Sequence, residues 1–340
     1  MFKTVSHRRM LLQMQFLILV AFCAIMESRS QAAELLIGGA TVSITPDQPV
    51  ALWGQMHTRI STAVESPVTA TVLALESVDG GKPIEQAVMV ACPSQEVEGG
   101  SAINADFWHQ VRETLRASHG KDLHVLAWTG AGGDQSPHLM FRKQAEERMR
   151  NLRGISRLDE ISRRIVSAWN EAYDGAQKDQ HSDVPLIHTV QEIELPRREV
   201  LEREWLLARS TIDDLSRQQG KQTLLYWHGG VVKRYEQQLA GTAEPFKMEP
   251  HVIRLGDIAI ATNPFELFTD YGIRMKTQSP ALQTFVIQLA GPGSYLPSAR
   301  AVQGGGYSAI AESNEVGPEG GQVLVERTLE QINALWPVTK

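Results

Sequence analysis

Short apolar runs rich in β-branched residues alternate with amphipathic helical patterns along most of the chain, and this alternation limits the fold more than any other feature. Runs such as Val68–Leu75 and Leu123–Trp128 predict strands. The segment Asp159–Lys178 instead repeats apolar residues at helical spacing. Because interspersed strands and helices pack as layers, we predict an α/β fold of the mixed α+β type, with a mixed β-sheet core flanked by helices.

Several element boundaries follow from local sequence. Gly38-Gly39 predicts a break between two short strands, and Gly256-Asp257 predicts the turn of a β-hairpin. Asn104 is the expected N-cap of a helix that ends before Gly120. Further expected elements are a strand over Pro185–Leu195, charged helices over Glu199–Gln238 that form a solvated face, a helix over Glu266–Lys276, a strand over Phe285–Leu289 and a helix over Gln322–Trp336.

The N-terminus has the three-part pattern of a secretory signal. Basic residues are followed by the apolar run Phe16–Met26 and then by small residues over Ser28–Ala33. The alternative is a transmembrane anchor, but the run is shorter than the roughly 20 residues that span a bilayer. We therefore expect residues 1–33 to be a cleaved signal peptide, residues 34–340 to form one catalytic domain, and the protein to be exported.

Charge and cysteine content limit the partners and the chemistry. The net charge is -6 and no basic stripe is present, which argues against nucleic acid as a partner. Of the 2 cysteines, Cys23 would leave with the signal. Cys92 would then be the one remaining thiol, either a small buried apolar residue or a reactive or metal-ligating group.

Three polar loops could perform chemistry. In Gly133–Pro137 a strand ends and presents Ser136 in a tight loop, although such clusters also form plain turns. Glu266 follows a strand directly, as a metal ligand or as a first-turn carboxylate favoured by the helix dipole. Tyr295 and Tyr307 lie near opposite ends of a glycine-rich loop.

In their order along the chain, these segments resemble the neutral/alkaline non-lysosomal ceramidase family, and more narrowly its shorter, signal-bearing bacterial relatives without a C-terminal immunoglobulin-like domain. The resemblance covers most of residues 35–336. Ile37–Pro46 is similar to the opening segment of that family, and Gly133–Pro137 matches its G-D-x-S-P motif. Glu266 and Tyr295 match zinc ligands, and Tyr307, twelve residues further on, matches a second active-site tyrosine.

The chain departs from this pattern twice. In the family, one segment begins H-P-x-S with a zinc-binding histidine, and here the matching segment begins with Cys92. A thiolate can replace imidazole on zinc. Asp106 matches an Asp further along the same segment. The family's H-T-H segment, with the first zinc histidine, is absent. Because the sequence passes from Glu76–Gly80 almost directly to Cys92, we infer an internal truncation near Val90.

The resemblance implies zinc-dependent hydrolysis of an amide bond in an N-acyl lipid such as ceramide. It implies Ser136, Tyr307 and Asp134 as catalytic residues, and Gly133 with Tyr307 as oxyanion donors. Cys92, Glu266 and Tyr295 would hold Zn²⁺, one ligand fewer than the family uses. The expected partner is a lipid or small-molecule amide, with peripheral membrane contact. The alternatives are an inactive exported remnant or binding protein that has lost its metal, and a hydrolase for a small amide.

Overall fold

The computed structural model describes residues 34–43, 45, 47–49, 51–52, 59–65, 69–78, 86–90, 93–121, 123–176, 178 and 184–336. The expected signal peptide and Cys92 lie outside these residues. Within them, no helix combines the length and the hydrophobicity that a membrane crossing needs.

The structure alternates strands and helices, as the sequence predicts. The strands are β1 (Glu34–Ser43), β2 (Ala51–Leu52), β3 (Arg59–Ile60), β4 (Ala63–Val64), β5 (Thr69–Val78), β6 (Gln86–Val90), β7 (Ala102–Ile103), β8 (Val125–Thr129), β9 (Leu186–Val190), β10 (Ile193–Leu195), β11 (Phe246–Met248), β12 (His251–Leu255), β13 (Ile258–Thr262), β14 (Glu266–Leu267), β15 (Gln283–Ile287) and β16 (Tyr295–Leu296). The helices are α1 (Phe107–His119), α2 (Lys143–Arg153), α3 (Arg157–Ala176), α4 (Glu202–Leu215), α5 (Gln222–Ala240), α6 (Thr269–Gln278), α7 (Ala299–Gly304) and α8 (Pro318–Ala334).

Parallel and antiparallel pairings are mixed, which confirms the predicted fold class. A four-stranded sheet has the order β15-β13-β12-β9; its β13–β15 pair is parallel and its other pairs are antiparallel. The strands β6 and β8 form a separate parallel pair, and β1 pairs antiparallel with β5. The hairpin predicted at Gly256-Asp257 joins β12 to β13, and Gly256 takes the left-handed φ of 58° that the tight turn requires.

Two of the apolar cores among the described residues bear on the site. The stripe predicted on α3 packs Ile161, Ile165 and Trp169 against the buried face of α1, which includes Val111 and Leu115. A second core lies around α6 and α8. It contains Phe265, Leu267, Tyr271, Leu296 and Leu324. The residues that flank Glu266 on either side are therefore anchored in the second core.

Two strand predictions were wrong. Gly38 and Gly39 do not break β1, because each pairs with a residue of β5 in a continuous antiparallel ladder. The single strand predicted over Pro185–Leu195 is two strands in different sheets. The first, β9, pairs with β12, whereas β10 pairs with β11, so the chain changes sheets between Val190 and Ile193.

The predicted N-cap at Asn104 was also wrong, by two residues. Asp106 caps α1 by accepting a hydrogen bond from the N–H of Phe107 at 2.8 Å, and its other carboxylate oxygen accepts from the N–H of Val97 at 3.0 Å. Asn104 accepts from the N–H of Asp106 at 2.7 Å. The buried aspartate thus ties the start of α1 to the turn that precedes it.

Candidate active site

Loops from two sheets meet at the candidate site. The strand β8 ends at Thr129, and β15 ends at Ile287. The N–H of Gln288 donates to the carbonyl of Thr129 at 3.0 Å, and Gly130 forms a β-bridge with Ile287. Because β6 is parallel to β8 and β13 is parallel to β15, the carboxyl ends of β6, β8, β13 and β15 lie in one region.

The segment after β13 forms a short strand rather than the start of a helix. The side chain of Asn263 accepts from the N–H of Phe265 at 3.1 Å and turns the chain. The N–H of Glu266 then donates to the carbonyl of Ser294 at 3.0 Å, and Glu266 pairs in parallel with Tyr295. Since α6 begins only at Thr269, the prediction of a helix from Glu266 was wrong at its start.

The Glu266 carboxylate and the Tyr295 phenol lie close enough for each to influence the ionisation of the other. Burial raises the pKa of Glu266, and the adjacent phenol of Tyr295 offsets part of that rise. Burial also raises the pKa of Tyr295, and the adjacent carboxylate raises it further. Both groups are therefore held toward their protonated forms, which a bound cation would reverse.

Tyr307 lies over the same pair of side chains. Its ring is edge-on to that of Tyr295, with centroids 5.9 Å apart. It is 57% exposed, and burial followed by the charge of Glu266 raises the pKa of its phenol. Two phenols and a carboxylate therefore line one partly open site.

The serine loop packs directly on the backbone of Glu266. The N–H of Gly133 donates to the carbonyl of Leu267 at 2.8 Å. A Cβ at Gly133 would lie 2.2 Å from the carbonyl oxygen of Glu266, so only glycine fits. This close approach engages the Gly133 N–H within the protein, so it is not available as the expected oxyanion donor.

Asp134 holds the serine loop to helix α6. Its carboxylate accepts from the N–H and from the hydroxyl of Thr269, each at 2.8 Å, at the first residue of the helix. Ser136 follows on the exposed side of the loop, where its Oγ accepts from the N–H of His138 at 3.2 Å. None of the hydrogen bonds among the described residues joins Ser136 to Glu266 or to either tyrosine.

The segment that follows Cys92 borders the serine loop. Pro93 is buried. Arg157 donates to the carbonyl of Pro137 at 2.7 Å and lies 3.6 Å from the carboxylate of Glu96. The charge of Glu98 contributes to the raised pKa of Tyr295. The residues immediately after Cys92 therefore lie beside both the serine loop and the tyrosines.

Two buried amides support the site and were missed from sequence. Gln288, 3% exposed, accepts from the N–H of Leu267 at 2.8 Å and from that of Gly132 at 3.3 Å, so it links the serine loop to the strand of Glu266. Asn314 is fully buried and donates to the carbonyl of Tyr295 at 3.3 Å and to that of Ser308 at 2.9 Å. Neither belongs to a motif, because each acts through distant backbone groups.

Helix α5 holds the loop that contains Tyr307. The ring of Trp227 lies 5.8 Å from that of Tyr307, and His228 lies 3.1 Å from the carboxylate of Glu312. Arg234, whose pKa is lowered by burial, donates to the carbonyls of Ala311 and Asn314. The expectation that charges over Glu199–Gln238 form only a solvated face was therefore wrong.

Two of the three metal ligands expected from the sequence lie among the described residues. Glu266 and Tyr295 bring a carboxylate and a phenol oxygen together, and both donor types suit a divalent cation. Within the described part of the chain no three His, Cys, Asp or Glu side chains cluster as a metal site. Of the three ligands expected from sequence, two therefore meet, and the third, Cys92, lies outside the described residues.

Comparison with solved structures places the fold among ceramidases. The chain superposes on neutral ceramidase from Pseudomonas aeruginosa with a TM-score of 0.51 and 13% identity, covering 90% of this chain and 52% of that one. A ceramidase complexed with C2 gives a TM-score of 0.50 and 13% identity, covering 91% of this chain and 55% of that one. The chain thus spans about half the length of these structures.

No family model and no curated protein matches the sequence. At 13% identity the structural likeness concerns the fold. The protein therefore has a mixed α/β fold of the ceramidase type.

Proposed function

We propose that the protein hydrolyses an amide bond in an N-acyl lipid such as ceramide, with Zn²⁺ as cofactor and Ser136 as a catalytic residue. The observation that supports this most directly is the packing of Gly133 on Glu266 while Glu266 pairs with Tyr295. It brings the loop of the expected nucleophile to a half-buried pair of oxygen donors. The ceramidase-type fold supports the class of bond and substrate by analogy.

Glu266 and Tyr295 would hold the metal, with Cys92 as the expected third ligand. Zn²⁺ would supply Lewis-acid polarisation of the amide carbonyl and would lower the pKa of nearby hydroxyl groups. The raised pKa values of Glu266 and Tyr295 fit such a site, because binding of a cation relieves the unfavourable burial of their charged forms.

The side chains around the metal would have separate roles in the reaction. Ser136 presents its hydroxyl on the exposed side of its loop, while Asp134 fixes that loop to α6. Because the Gly133 N–H is engaged, we assign stabilisation of the oxyanion to the phenol of Tyr307. Its raised pKa keeps it protonated and able to donate at neutral pH.

The test measures zinc and turnover in the same preparation. We expect about one zinc per chain and hydrolysis of a short-chain N-acyl sphingosine. Ser136→Ala should lower kcat by at least about a hundredfold, whereas Ser210→Ala, at an exposed serine of α4, should leave it unchanged. Zinc binding should also release protons.

Unchanged turnover in Ser136→Ala would rule out the serine role. A protein that binds no zinc at micromolar supply and cleaves no amide would be the inactive remnant, with a ceramidase-type fold but no reaction.

A further inference from the structure

Helix α2 is attached to the protein by its charged face. The carboxylate of Glu146 lies 3.5 Å from Arg164, and Arg153 lies 3.3 Å from Glu160, with both partners on α3. None of the side chains of α2, which the structure describes throughout, is buried. Surface helices ordinarily turn an apolar stripe toward the core, so the orientation of α2 is reversed.

The apolar side chains of this region face outward. Met149 and Leu152, three residues apart on α2, are 47% and 71% exposed. Met140 and Phe141, just before the helix, are 76% and 77% exposed. Single exposed apolar residues are common, but four large ones within one short segment mark an interaction surface.

The same segment is basic in an otherwise acidic protein. Residues 142–153 contain five basic and two acidic side chains, whereas the whole chain has a net charge of -6. Arg142, Lys143 and Arg148 are exposed. An apolar face flanked by lysine and arginine is typical of helices that lie in the plane of a membrane surface, where anionic headgroups attract the basic residues.

We propose that residues 140–153, hereafter the docking segment, bind the surface of an anionic lipid bilayer. Met140, Phe141, Met149 and Leu152 would enter the headgroup region, and the exposed basic residues would pair with anionic headgroups. Charge complementarity favours lipid over a protein partner, because an apolar protein interface needs no excess of positive charge.

Docking would place the serine loop at the boundary between water and lipid. Met140 follows Ser136 by four residues, and Arg157 fixes Pro137 between them. An amide in a lipid headgroup region would then lie next to the site. This consequence rests on the proposed function, whereas the binding of lipid does not.

Sedimentation of the full chain with vesicles tests the proposal. The vesicles contain phosphatidylcholine and phosphatidylserine in equal amounts, and pure phosphatidylcholine vesicles serve for comparison. We expect binding that needs phosphatidylserine and weakens with salt. The double substitution Met140→Ser with Phe141→Ser should weaken it at least about tenfold. Arg142→Glu and Arg148→Glu should each weaken it at least about fivefold.

A matched control is Leu282→Ser. Leu282 is 82% exposed and lies beside the β12–β13 turn, at the end of the sheet away from the site. We expect the Leu282→Ser variant to bind vesicles as the wild type does. Equal binding by wild type and the Met140→Ser, Phe141→Ser variant would overturn the proposal, as would self-association of the wild type through this segment without vesicle binding.

A local measurement removes the contribution of the apolar run Phe16–Met26, which every variant shares. Amide hydrogen exchange of residues 138–153 should slow when the protein is bound to vesicles. Unchanged exchange there in vesicle-bound protein would refute docking through this segment.

Hydrolysis of a water-soluble short-chain substrate without vesicles separates the two proposals. The Met140→Ser, Phe141→Ser variant should cleave it at the wild-type rate. Vesicle binding by a protein that cleaves no such substrate would support docking and refute the proposed function.

Discussion

Replacing Gly133 by alanine tests the packing of the serine loop on Glu266. The added methyl carbon would lie 2.2 Å from the carbonyl oxygen of Glu266 and 2.5 Å from its carbonyl carbon. Both atoms are backbone and cannot rotate away, so the two segments must separate by about 1 Å to reach ordinary contact distances. The hydrogen bond from Gly133 to Leu267 would be weakened or lost.

The size of the effect follows from this separation. Loss of the hydrogen bond costs about 1 kcal/mol, and strain brings the total destabilisation to about 1–3 kcal/mol. A displacement of about 1 Å between Ser136 and Glu266 is expected to lower kcat/KM by about a hundredfold. Thermal unfolding and hydrolysis of the short-chain substrate measure the two effects separately.

Gly304→Ala is the matched control, because a methyl group there meets no atom within 4 Å. It should leave both the unfolding temperature and kcat/KM close to those of the wild type. If Gly133→Ala behaved like this control, the serine loop would not pack on the strand of Glu266, and the proposed site would lose its geometric basis.

Three further substitutions have defined outcomes. Because burial raises the pKa of Glu266, metal-free wild type should lose stability as pH rises through that pKa. The variant Glu266→Gln should lack this loss, should be as stable as the wild type below about pH 4, and should bind no zinc. If thermal unfolding showed the same pH profile for both proteins, the argument would be contradicted. Asp134→Ala removes the acceptor for Thr269 at the start of α6 and should cost about 1 kcal/mol in urea unfolding; no change would show that the contact does not stabilise the loop. The hydrogen bond from Arg163 lowers the pKa of Glu160 to about 2, so wild type should lose stability as pH falls from about 4.5 toward that value, and Glu160→Gln should lack this acid-dependent loss when unfolding is followed at several pH values.

The fold was predictable from sequence where side-chain periodicity is strong. The stripe of Ile161, Ile165 and Trp169 on α3 is confirmed, because apolar residues four apart lie on one face of a helix and pack together. Prediction failed where hydrogen bonds from another segment decided the conformation. Gly38 and Gly39 stay extended because β5 pairs with them.

The site was predictable only in part. The order of loops placed Glu266, Tyr295 and Tyr307 in one site, and the structure brings these three side chains together. The roles of Gln288 and Asn314 could not be predicted, because each depends on backbone groups far away in the sequence. The catalytic role of Ser136 and the ligand role of Cys92 stay predictions.

The contact between Gly133 and Leu267 has a consequence for folding. It joins residues more than a hundred positions apart, so forming it closes a long loop at a substantial entropic cost. Pairings between segments far apart in sequence form slowly, because the loop must close before the contact can stabilise it. During refolding, native-like helical circular dichroism should therefore recover before the proposed zinc binding and substrate cleavage do.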